Sequence, residues 1–97
     1  MASVTVTGEG PAYRVAVRDG ATDTTHTVTV TPEALAMTQW ADADAAALVK
    51  ASFAFLLERE PASSILRRFN LEVIARYFPE YPAEMARRPP GGRGSRR

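Results

Sequence analysis

A chain of 97 residues is long enough for one domain with a modest core and too short for a second independent one. Apolar residues at 45% and charged residues at 24% are ordinary globular usage, which argues against wholesale disorder and against a membrane protein. The absence of cysteine excludes disulfides, thiolate metal sites and cysteine nucleophiles, and the net charge of +1 hides an asymmetry: residues 1–40 and 41–60 each carry −2, whereas from Pro61 onward eight arginines face three glutamates, a net of +5.

The first third has the pattern of antiparallel sheet. Val4 and Val6 alternate with Ser3, Thr5 and Thr7, and Gly8, Gly10 and Pro11 supply a turn. Tyr13, Val15 and Val17 then alternate with Arg14, Ala16 and Arg18, the period-2 signature of a strand with one buried face, which Asp19-Gly20 ends. Residues 25–31 place His26, Val28 and Val30 on one side and four threonines on the other. A three-stranded meander follows, with one face covered by helices because an open apolar face on so small a sheet would be marginal.

Thr31-Pro32-Glu33 is a helix start: threonine as N-cap, proline in the first turn and a carboxylate where the helix dipole favours it. A short helix to about Met37 is expected. Asp42 starts a second, central helix, carrying Leu48, Val49, Phe53, Phe55, Leu56 and Leu57 on a wide apolar arc and ended by Pro61. Ser63 or Ser64 then caps a short helix ILRRF, with Ile65, Leu66 and Phe69 inward and Arg67 and Arg68 outward. Asn70 caps a further piece, LEVIARYF, in which Leu71, Ile74 and Phe78 share a face and Glu72 sits four before Arg76. Pro79 stops it, Tyr81-Pro82 leads into a last turn through Met85, and the composition of the remainder predicts a disordered basic tail over 88–97.

The string FLLEREP-x2-SIL-x2-F-x-L-x2-I-x2-YFPEY within residues 51–82 resembles the signature of a family of small uncharacterised bacterial proteins, and the preceding hairpin has the layout of that family. The resemblance implies an intact small protein and carries no assigned activity.

Candidate chemistry is sparse. His26, the one histidine, lies mid-strand among threonines, where catalysis would require a nucleophile and an orienting carboxylate converging on it. A sheet-face role is preferred, and one histidine with scattered carboxylates makes a poor zinc site. Asp42 and Asp44 suit a helix start, and Glu58 and Glu60 are expected to clasp Arg67 or Arg68. Gly91, Gly92 and Gly94 have no strand before them or helix after them, so they do not make a phosphate loop. ILRRF, Asn70 and LEVIARYF invite a helix-turn-helix reading, but the second helix offers only Glu72 and Arg76 to base edges.

The resulting expectation is an α+β domain over 1–87, with a three-stranded antiparallel meander (1–31) covered by a C-terminal helical layer (32–87), followed by the tail. No signal-type segment opens the chain and no window approaches the roughly 18 apolar residues of a membrane span, so a cytoplasmic location is expected. The preferred function is a non-catalytic interaction or accessory protein, without cofactor, metal or small-molecule substrate, binding a protein partner or itself through Arg76, Tyr77 and Tyr81. Phe78 and Tyr81 can instead close the bottom of the small core, a reading compatible with an interface beside it, and Trp40 poses the same choice between interface and core. The alternative is a nucleic-acid-associated protein that uses Arg67, Arg68, Arg87, Arg88 and the tail arginines on phosphates.

Overall fold

The computed structural model describes residues 2–8 and 10–88. Its first three strands, β1 (Ala2–Thr7), β2 (Ala12–Asp19) and β3 (Thr22–Thr29), pair antiparallel in chain order. In β2, Tyr13, Val15 and Val17 are buried while Arg14, Ala16 and Arg18 are exposed. The register sets Val15 between Val6 and His26, and Val17 between Val4 and Thr24, so the inward sides of three strands merge into one surface. Gly20 begins the tight β2–β3 loop at φ 65°, a conformation that glycine reaches without steric cost.

Helix α1 (Pro32–Thr38) begins where the sequence signal puts it. The Thr31 hydroxyl accepts from the Ala34 N–H at 3.1 Å and donates to Glu72 Oε1 at 2.6 Å, so one side chain caps the helix and ties it to the 3₁₀ turn Leu71–Val73. Thr31→Ala should therefore cost about 1–2 kcal/mol of unfolding free energy in urea titrations, with Thr31→Ser restoring most of it. Equal losses for both substitutions would sink this account of the cap.

The expected meander is one strand short. Residues assigned to the helix ILRRF instead run into β4 (Arg68–Asn70), which lies parallel to β3 with Thr27, Val28 and Thr29 opposite Arg68, Phe69 and Asn70. The sheet is thus mixed and four-stranded, in the order β1-β2-β3-β4. A parallel neighbour needs a crossover, which α1 and α2 (Ala45–Leu57) supply. Ile65 and Phe69, both buried, are four apart; that spacing shares a helix face and, being even, also a strand face. Only the position beside Val28 decides between them. With its first helix replaced by a strand, the helix-turn-helix arrangement is absent, and Asn70 makes no side-chain cap.

Helix α2 starts at Ala45 after a 3₁₀ turn at Asp42–Asp44 and ends at Leu57, short of Glu60. Leu48, Val49, Phe53 and Phe55 are fully buried, and the helix packs on β1, β2 and the last helix. The chain closes with α3 (Ile74–Tyr77) and α4 (Tyr81–Arg87). Trp40 belongs to the core, its indole N–H donating to the Met85 carbonyl at 2.7 Å. Among the described residues no helix is long and apolar enough to cross a membrane. Apart from Arg88, the expected tail lies outside the described residues.

Candidate functional site

Burial leaves few large apolar side chains in solvent. Among the described residues these are Leu66, 48% exposed, and Tyr77, 65% exposed. Both line one groove of about 190 Å³ at the β4 edge of the sheet, floored by Phe69 and Ile74 and flanked by Val73. Four segments build it: the end of α2, the run from Ser64 through β4, the 3₁₀ turn at Leu71–Val73, and α3. Its volume is below the roughly 300–1,000 Å³ of small-molecule sites, so it suits a few side chains of a larger partner better than a whole cofactor.

The arginines divide into two sets. Arg59 bridges Glu58 and Glu80, each at 3.1 Å, with its guanidinium carbon 3.7 Å over the Phe55 ring; Arg18 pairs with Asp23 at 2.9 Å; Arg87 pairs with Glu84; and Arg88 reaches Glu58 at 3.4 Å. By contrast Arg14, Arg67, Arg68 and Arg76 have no carboxylate within ion-pair distance among the described residues. Arg67 and Arg68 lie at the groove's strand edge, and Arg76 precedes Tyr77 on α3. Glu60 is the one carboxylate on the groove lining. The expected clasp of Glu58 and Glu60 on Arg67 or Arg68 is not formed, because residues 67–68 stand on the sheet edge and Glu58 turns to Arg59 and Arg88. Nor does Glu72 meet Arg76, since Thr31 takes its carboxylate.

Two buried polar side chains, one beside the groove and one in the core, are each hydrogen-bonded. His26 is 1% exposed, with Nδ1 2.7 Å from the Leu66 carbonyl, Nε2 2.9 Å from Thr24 Oγ1, and its ring centroid 5.2 Å from that of Phe53. As Leu66 offers only an acceptor, Nδ1 carries the proton and Nε2 accepts from Thr24. His26 therefore clamps the groove rim to β3; its surroundings hold a carbonyl where a relay would have a carboxylate. Tyr81 is fully buried, which takes it out of the interface and gives it the core-closing place that was its other reading: its ring centroid lies 5.4 Å from that of Phe55. Ser52 spends its single proton on the Leu48 carbonyl at 2.7 Å, so the Tyr81 hydroxyl is the donor in the 2.7 Å bond between them. Burial pushes the Tyr81 phenol well above the ordinary tyrosine range, a rise that the Ser52 hydrogen bond opposes.

The structure thus brings Leu66 and Tyr77 into the groove, leaves Arg67, Arg68 and Arg76 off its lining, with Arg68 on the opposite sheet face from Phe69, and removes Tyr81 to the core, while Arg87 and Arg88 are engaged with glutamates. Leu66 was missed as a surface residue, because as part of a helix it pointed inward; no local signal marks it. Among the described residues no group of three or more His, Asp or Glu side chains is placed to hold a metal. No family model, curated protein or solved structure matches the chain.

Proposed function

We propose that this chain is a non-catalytic interaction protein of the cytoplasm, related to the small bacterial family its signature resembles, which docks a partner protein in the groove between β4 and α3. The observation that carries this is the convergence of Leu66 and Tyr77 on one groove, since an exposed aromatic clustered with an aliphatic side chain, each next to an arginine in the chain, suits an interface anchor. Arg67, Arg68 and Arg76, without carboxylate partners of their own among the described residues, favour an occupant with apolar side chains among acidic ones. The phosphate-binding alternative is less well supported, because Arg87 and Arg88 already pair with Glu84 and Glu58 and do not join Arg67 and Arg68 on one free surface.

A photo-crosslinking amino acid at position 77, with Thr5 on the opposite sheet edge as control, should capture one protein from nuclease-treated extract of the cells that make it, identifiable by mass spectrometry. Binding of that purified partner should fall by about 2 kcal/mol, roughly 30-fold, in Tyr77→Ala and at least as much in Leu66→Arg, with melting temperatures unchanged. A second copy of this chain as the captured species would make the interface homotypic. Equal capture at positions 5 and 77, or unchanged affinity in both variants, would overturn the proposal.

A further inference from the structure

We infer that the partner enters as an added β-strand on β4, with apolar residues at alternate positions and carboxylates between them; this rests on the groove reading above and specifies its ligand. β4 is the last strand of the sheet. Thr27 donates its N–H to the Arg67 carbonyl at 2.7 Å and the register sets Phe69 opposite Val28, so Phe69 turns both main-chain groups toward β3 while Arg68 turns its N–H and C=O toward the open side. The N–H of Asn70 faces the same way.

A strand hydrogen-bonded there would run about 4.8 Å from β4, and its side chains would alternate between the two faces of the sheet. On the helix-covered face, where Phe69 points, they would meet the groove with Leu66 and Tyr77 exposed in it. On the open face they would lie beside Arg68, which the register places in one row with Thr27, Arg14 and Thr7. Arg14 and Arg68 have no carboxylate partner among the described residues, so this row attracts acids. The two faces of one edge therefore demand opposite chemistries at successive positions, which an extended acidic–apolar segment meets and a helix does not. The same arginines discourage uncharged strands from adding to the edge. At the other edge, Val4 and Val6 of β1 are partly buried against the core.

The test uses the full chain, ¹⁵N-labelled, titrated with a seven-residue blocked peptide alternating valine and glutamate, and with an isomer of identical composition whose valines fall at helical spacing. The alternating peptide should bind at least tenfold more tightly and slow amide exchange at Arg68 and Asn70 at least tenfold. N-methylation of its β4-facing nitrogens should abolish binding, and Arg68→Glu should weaken it at least fivefold. Leu66→Arg should weaken it at least tenfold; both positions are exposed, and the melting temperature of each variant checks its fold. Equal or tighter binding by the isomer, with resonances of Leu66 and Tyr77 shifted, would overturn strand addition while leaving the groove as the docking site. Shifts confined to β1, or none with either peptide, would also overturn strand addition; the groove reading would then stand or fall on the cross-linking result.

Discussion

Replacing Phe55 by alanine should remove about 3–5 kcal/mol of unfolding free energy. The ring is fully buried and joins three parts of the structure: it meets Phe78 edge-on at 5.9 Å and Tyr81 at 5.4 Å, and Arg59 stacks on it at 3.7 Å. Truncation leaves a cavity between α2 and α4 and deprives Arg59, which also bonds the Phe55 carbonyl at 3.1 Å, of the surface that orients it toward Glu80. Against a total of about 5–15 kcal/mol for a natural domain, this loss is a large part of the margin. Phe55→Leu, which keeps most of the volume, should lose much less. Urea unfolding of both decides the matter: a loss below about 1 kcal/mol in the alanine variant would mean that the ring is not at this junction.

Alkaline titration should expose the second large effect, through Tyr81. Its phenol is buried and its pKa in the folded chain is raised by that burial, whereas in the unfolded chain it stays near about 10. Above that value the unfolded state loses the proton first, so the stabilisation is complete below about pH 10 and declines as pH rises further. The limiting slope from this one group is about 1.4 kcal/mol per pH unit. Tyr81→Phe removes the term, while its cost at neutral pH is only about 1 kcal/mol, because Ser52 keeps its bond to Leu48. Stability curves of the two proteins should therefore converge and cross as the solution becomes alkaline. Parallel curves between pH 9 and 12 would refute the buried placement of this phenol.

How much of this was legible before folding depended on whether a signal was local. Alternation in β2 and the Thr31-Pro32-Glu33 start act within a few residues, and both elements lie where those signals put them. Residues 65–70 had no such advantage: a spacing of four serves helix and strand alike, and the choice was made by β3, some forty positions away. Tyr81 was left between core and interface for a related reason. An aromatic between two prolines has no periodic context, and its burial is made tolerable by a distant residue, Ser52, whose hydroxyl accepts the hydrogen bond of its phenol. The groove was hidden because four separate segments line it, and its most telling residue, Leu66, seemed a core residue of a helix that does not form.

The parallel pairing of β3 with β4 also sets an order of events. The antiparallel hairpins close over a few residues, whereas Thr27 finds Arg68 only after the whole crossover has been made and folded. A ribosome-bound chain that has released no more than β3 would carry a sheet without its helical cover and without the groove. A chain that stalls before Phe69 therefore lacks both the fourth strand and the floor of the groove.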